Sequence, residues 1–208
     1  MFISYNEACA RDCSTLEQDL VLCEKAGFDY IEIRLDMLTD YLKRHTVEEL
    51  AAFFCTSRLK PHAFNALYLY PEFLSEGDDE ARQKEVLEEF RLGCEVGRAI
   101  GSHYFIIVPP LQRDPAGGPY TGSWEDTFSN CVRILKELSR RAEPYDMNLC
   151  FELVGFERSS VRSIGQADAV VRAVDRPNVG FVFDSYNIFL NGGCNDFSAI
   201  GSVQPEKI

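Results

Sequence analysis

Two carboxylates stand where apolar strands ought to carry none. Glu152 lies within the run Cys150-Phe151-Glu152-Leu153-Val154, and Asp184 closes Phe181-Val182-Phe183-Asp184. The residues directly before each are of the kind a parallel strand buries on both faces. An ionised carboxylate kept from water without a partner is strongly unfavourable, so each must be hydrogen-bonded, ion-paired or bound to a metal. Arg34 or Arg162 would supply an ion pair. If the two acids instead lie on neighbouring strands, they can share one divalent cation, because hard oxygen donors suit Mg²⁺ and Mn²⁺ and also serve Zn²⁺.

The elements that must position these acids alternate apolar runs with helical periods, the pattern of βα units around a parallel sheet. Strands are expected at Phe2 to Tyr5, Tyr30 to Arg34, Pro61 to Leu67, His103 to Val108, Asn148 to Val154 and Val179 to Phe183. Helices fall between them. One runs from Leu16 to Ala26 behind a Ser14 or Thr15 cap and stops at Gly27; a second opens with the capping box Thr46-Val-Glu-Glu49 and ends near Thr56. A long helix spans Asp78 to Ile100. Another is capped by Ser123 and ends by Pro144, after a Pro- and Gly-containing loop from Gln112, and a last one covers Gly165 to Val174. Gly93, Gly97 and Gly101 are read as a close-packing face of the long helix against the sheet.

Six such units in 208 residues match the spacing of a (β/α)₈ barrel, in which about 250 residues hold eight. The expected fold class is therefore α/β, a TIM barrel of which this chain covers about the first six units in one domain, residues 1–208, ending before closure. An open six-stranded sheet is the alternative, but it leaves two edges and an apolar inner face uncovered. In barrels and open α/β sheets, ligands gather at the C-terminal ends of the strands. The polar residues expected there are Asn6, Glu7, Glu32, Arg34, Asn65, Glu152, Asp184 and Asn187. Arg34 is read either as a holder of a substrate hydroxyl or phosphate or as a partner for Glu32 or Asp36. Trp124, Phe64, Tyr68 and Phe156 are candidate walls of a polyol pocket, with ordinary packing as the plainer alternative. His62 and His103 begin strands, at the face opposite the expected site, and His45 reads as a solvated loop residue.

Composition narrows the partners. With 33 acidic against 21 basic residues the formal net charge is −12, and no basic run interrupts it, which argues against nucleic acid or an anionic membrane. No apolar run approaches membrane-spanning length, and the first residues lack a basic region before an apolar core, so a cytoplasmic protein is expected. The eight cysteines are scattered singly, as reduced thiols are, and the Cys9–Cys13 spacing lacks the accompanying ligands of a metal clip. Nucleotide, zinc-protease and serine-hydrolase motifs are absent.

Several segments together resemble a known family: NEA at 6–8, LCEKAGFDYIEIRLD at 22–36, KPHAFNAL at 60–67, AEPYDMNLCFELVG at 142–155 and NVGFVFDSYN at 178–187. The chain is similar to the sugar-phosphate isomerase/epimerase superfamily of xylose-isomerase-like TIM barrels, its inosose (2-keto-myo-inositol) isomerase branch in particular. That resemblance implies one divalent metal ion, Mn, Mg, Zn or Co, held by a Glu from strand five, an Asp from strand six, a His from strand seven and a Glu from strand eight. The first two match Glu152 and Asp184; the other two have no counterpart in these residues. It further implies Glu152 as one half of an acid/base pair, and Glu7 and Asn65 resemble family positions that line the cavity; with Arg34 and Asn187, whose side chains can hydrogen-bond a hydroxyl, they are the candidate substrate contacts. Asn187 stands where related isomerases often carry His, and an amide cannot titrate near neutral pH.

The expected function is then a metal-dependent isomerase or epimerase of a small polyhydroxylated ketone, an inosose or ketose sugar, working by proton transfer through an enediolate. Two alternatives stand beside it. One is a non-catalytic incomplete barrel that self-associates as a homo-oligomer. The other is an endonuclease-IV-like phosphodiesterase, disfavoured by the acidic charge and by only three His.

Overall fold

A computed structural model describes residues 1–10, 13–69, 80–112, 118–192 and 197–208, with the side chains of 80–82 outside that description. Six parallel strands form one sheet in the order β1-β2-β3-β4-β5-β6. They are β1 (Ser4–Asn6), β2 (Tyr30–Arg34), β3 (Lys60–Tyr68), β4 (Tyr104–Val108), β5 (Asn148–Glu152) and β6 (Val179–Val182). Each strand pairs with its sequence neighbour, the arrangement of a winding barrel wall rather than of a doubly wound sheet, whose order reverses at a switch point.

The helices are α1 (Leu16–Ala26), α2 (Leu35–Tyr41), α3 (Val47–Thr56), α4 (Glu80–Ile100), α5 (Trp124–Ala142), α6 (Ile164–Val174) and α7 (Ser185–Gly192). Their starts follow local chemistry. Thr15, Thr46 and Ser163 each form a full capping box with the Gln or Glu three residues on. Ser123 Oγ accepts the Asp126 N–H to open α5. Gly27, at φ 86°, ends α1 in a left-handed conformation that a side chain would strain.

Four expectations shift. β1 lies at Ser4–Asn6, so Phe2 and Ile3 remain exposed ahead of it. β5 ends at Glu152 instead of Val154, and β6 at Val182 instead of Phe183, because the chain turns away to build the segments that follow. Helix α2 is an addition: Leu35 and Leu38 pack inward, but its seven residues are too short to declare a period. The expected helix start at Asp78 and residues 113–117 of the 112–123 loop lie outside the described residues.

Two apolar layers result. The larger lies between sheet and helices and contains Ile31, Ile33, Phe64, Phe105, Leu149 and Phe151 with the apolar stripes of α1, α3, α4, α5 and α6. Gly93 and Gly97 permit this contact, since a Cβ on either would collide with Phe105 or Met147. The smaller layer, Ala63, Ala66, Ile106, Val108 and Val154, contains no helix residue and so marks the inner face of the sheet. Phe64 therefore does not wall a pocket. Paired with Ile33 and Phe105, it points outward, is fully buried, and packs its ring 5.7 Å from that of Phe105.

Candidate active site

The carboxylates singled out in the sequence meet at the C-terminal ends of β5 and β6. Glu152 is the last residue of β5 and pairs in register with Val182, so Asp184 stands one pleat beyond it on the adjacent strand's exit. Asp184 Oδ1 accepts the N–H groups of Tyr186 (2.7 Å) and Asn187 (3.2 Å), which makes it the residue that starts α7. Asn187 in turn donates from Nδ2 to Glu152 Oε1 at 2.9 Å and accepts the Gly155 N–H through Oδ1 at 3.2 Å. Gly155 is required for that closeness, because a Cβ there would collide with the Asn187 carbonyl and with Leu190.

Among the described residues, neither Glu152 Oε2 nor Asp184 Oδ2 has a hydrogen-bond partner, and neither acid forms an ion pair. The two arginines that would have neutralised them are engaged elsewhere. Arg34 binds Asp36 through both Nε (2.9 Å) and Nη2 (2.6 Å), and Arg162 donates to the Gly155 carbonyl at 3.2 and 3.3 Å. Burial pushes the Glu152 carboxyl up to about 7, the negative charges of Asp184 and Glu32 add to the rise, and the Asn187 amide opposes it.

Glu32 is a third acid of the inner face. Its Oε1 accepts two amide N–H groups, from Asn6 on β1 and Asn65 on β3, each at 2.6 Å. Burial raises its carboxyl above the usual range, and the Asn65 and Asn6 bonds and the nearby His62 offset part of that rise. Asn65 lies inside β3, three residues before its end and beside Arg34 of β2, instead of at the expected strand end, and its amide is committed to Glu32. Glu7 is placed differently from the other expected contacts: it is wholly buried, its Oε2 accepts the Arg34 N–H at 2.8 Å, and its carboxyl faces Asp19 of α1 instead of the inner face.

The remaining candidates lie apart from this group. His62 packs between Tyr30, at a tilt, and Tyr104, edge-on, near the start of β3, and His103 precedes β4 beside Asp146, both at the opposite end of the sheet. His45 stacks on Tyr41 and approaches Glu17 and Glu49. Tyr68 joins the inner apolar layer; Trp124 packs on Phe128, and Phe156 meets Tyr186 edge-on at the start of α7. Cys9, Cys13, Cys23, Cys55, Cys94, Cys131 and Cys150 are free thiols, and Cys194 lies outside the described residues.

Sequence reasoning passed over Asp19, Gly155 and the grip of two asparagines on Glu32. A signal existed for the first: Asp19 interrupts the Leu16, Leu20, Cys23 stripe of α1, so a helical reading already places it on the buried face.

A cation would find two unengaged carboxylate oxygens on adjacent strand ends whose charges oppose one another, and this donor set fits a hard or borderline divalent ion. Among the described residues, no three His, Cys, Asp or Glu side chains converge as a complete ligand set.

A parallel βα wall with acids gathered at its C-terminal end is the layout of a TIM-barrel enzyme site. The chain belongs to the xylose isomerase-like TIM barrel family, whose sequence pattern matches residues 20–207. It is 39% identical over 193 residues to the inosose isomerase of Bacillus velezensis, covering 92% of this chain and 65% of that protein. With the inosose isomerase of Bacillus subtilis the identity is 37%, covering 92% and 66%. The chain thus spans just under two thirds of the length of these relatives. Among solved structures, the IolI protein with a bound zinc atom superposes with a TM-score of 0.87 at 35% identity, covering all of this chain and 70% of that one. A D-psicose 3-epimerase determined in the presence of D-fructose shares the fold at 15% identity and a TM-score of 0.75, covering 99% of this chain and 70% of that one. Among the described residues, no helix is long and apolar enough to cross a membrane.

Proposed function

We propose that this chain carries part of the active site of a metal-dependent isomerase or epimerase acting on a small polyhydroxylated ketone, with a keto-inositol as the first substrate to try. The observation that carries this reading is the convergence of Glu152 and Asp184 on adjacent strand ends, each with one oxygen unengaged among the described residues and neither paired with a guanidinium. The inosose isomerase relatives supply the substrate class, and the zinc in the IolI protein supports a divalent ion.

Glu152 and Asp184 would hold the ion. When bound, it would polarise a carbonyl and the adjacent hydroxyl and so stabilise negative charge developing on oxygen. Glu152 is the proposed acid/base: its carboxylate takes the proton from the hydroxyl-bearing carbon beside the carbonyl, the hydroxyl proton passes to the former carbonyl oxygen, and the carboxylic acid returns its proton to the former carbonyl carbon. Asn187 donates to Oε1 and so orients Glu152; Oε2 would face the ion, and Oε1 keeps a second lone pair for the proton. Arg34, Asn65 and Asn187 are the proposed hydroxyl contacts, whereas Glu7, sealed behind β2, contributes only through the residues it holds.

The test is to incubate the protein with Mn²⁺ and 2-keto-myo-inositol in D₂O and follow the substrate by NMR. Deuterium is expected to enter at the carbon next to the ketone, and Glu152→Gln is expected to stop it. Exchange that persists unchanged in the Gln variant would overturn the assignment.

A further inference from the structure

Behind β2, away from the proposed site, two acids are buried against each other. Glu7 is 0% exposed and Asp19 3% exposed. Glu7 Oε2 accepts the Arg34 N–H at 2.8 Å, and Asp19 Oδ2 accepts the Ser14 hydroxyl at 2.9 Å. The two carboxyls are close enough for each to act on the other's ionisation. Written as two carboxylates, neither has a hydrogen to give, and Glu7 Oε1 is then a buried acceptor with no donor among the described residues. Buried polar atoms in native proteins are satisfied, and two adjacent carboxyls in a low-dielectric site cannot both ionise.

We infer that Glu7 and Asp19 share one proton at neutral pH, and that this proton makes Glu7 a positioning residue for Arg34, tying the β1–α1 connection, α1 and the end of β2 into one unit. One Glu7 oxygen receives the Arg34 amide, the other faces Asp19 through the proton, and Asp19 is fixed by Ser14. The surrounding charges do not replace that proton. Facing Glu7 are Tyr5 from β1, Asp19 and Cys23 from α1, Arg34 from β2 and Asp36 from α2; the one guanidinium among them is already paired with two oxygens of Asp36. Burial, with the charges of Asp19 and Asp36, raises Glu7 to about 8, and Asp19 is raised as well.

Because the folded state holds a proton that the unfolded state releases near 4.5, this contribution to stability is complete below about pH 4.5 and is lost as pH rises through about 8. Glu7→Gln supplies a permanent N–H toward Asp19 and keeps a carbonyl for Arg34, without the titration.

The experiment combines urea unfolding of the wild type and Glu7→Gln from pH 5 to 9 with NMR of wild-type protein carrying ¹³C in its Glu side chains. The wild-type folding constant is expected to fall relative to the Gln variant by about tenfold per pH unit at the steepest part of the window. The Glu7 carboxyl resonance and the Arg34 amide resonance are expected to titrate together, well above 4.5. Parallel stability profiles, a Glu7 carboxyl titrating near 4.5, or an Arg34 amide indifferent to that titration would each overturn the inference. The NMR arm decides the matter even if the Gln variant does not fold, and no arm depends on metal or substrate.

Discussion

Two buried acid groups in this chain meet the same electrostatic problem and resolve it differently. At Glu7–Asp19 the carboxyls are buried between a strand and a helix, with a backbone donor on one and a hydroxyl donor on the other, so a proton is the counter-charge that fits. At Glu152–Asp184 they stand at open strand ends, with amide donors on one oxygen each and the other oxygens directed at no described partner. A site that must accept and release a ligand keeps part of its acid surface unsatisfied by protein; a site that only holds elements together does not. The difference lies in what covers the acids, since each group is one Glu and one Asp.

The largest effect should come from removing charge at the open pair. Glu152→Gln combined with Asp184→Asn is expected to weaken Mn²⁺ or Zn²⁺ binding by more than about 100-fold in calorimetric titration, while Glu7→Gln leaves it unchanged. If both variants lose metal equally, the two groups are not separate devices. Next is Gly155→Ala, which drives a Cβ into the Asn187 carbonyl; urea unfolding should register a loss of about 1–3 kcal/mol and a further loss of metal affinity as Asn187 shifts.

A comparable loss of stability is expected for Asn187→Ala. It strips Glu152 of its amide donor, which moves the carboxyl further up, and leaves the Gly155 N–H unsatisfied at a cost of about 1–3 kcal/mol. In the metal-free wild type, Glu152 is raised to about 7, so its contribution to stability is complete below about 4.5 and is lost as pH rises through 7. A cation must displace that proton, so Mn²⁺ affinity measured by electron paramagnetic resonance should rise from pH 5 to 8. The smallest effect belongs to the exposed surface: Arg91→Ala on α4, breaking ion pairs with Glu88 and Glu95, should change unfolding stability by less than about 1 kcal/mol.

The strand and helix series was legible because apolar runs, capping boxes and Gly stops each act within a few residues, as at Thr15, Thr46 and Gly27. The family resemblance, and the oddity of acids at the ends of apolar strands, pointed to Glu152 and Asp184 from sequence. What sequence did not convey was direction. Glu7 and Asn6 are neighbours, yet Asn6 reaches Glu32 and Glu7 turns to Asp19, because successive residues leaving a strand face opposite sides. Phe64 and Asn65 divide in the same way, one into the helix-side core and one to the inner face. Helix α2 went unseen because a seven-residue element holds too little of a period, and its contacts to β2 and β3 are tertiary.

The most direct measurement is anomalous scattering from crystals of this chain soaked in manganese. A peak bridging Glu152 Oε2 and Asp184 Oδ2, with Arg34 still on Asp36, is the predicted result. An ordered pair of carboxylates with no peak between them, or a peak only elsewhere in the molecule, would contradict the account.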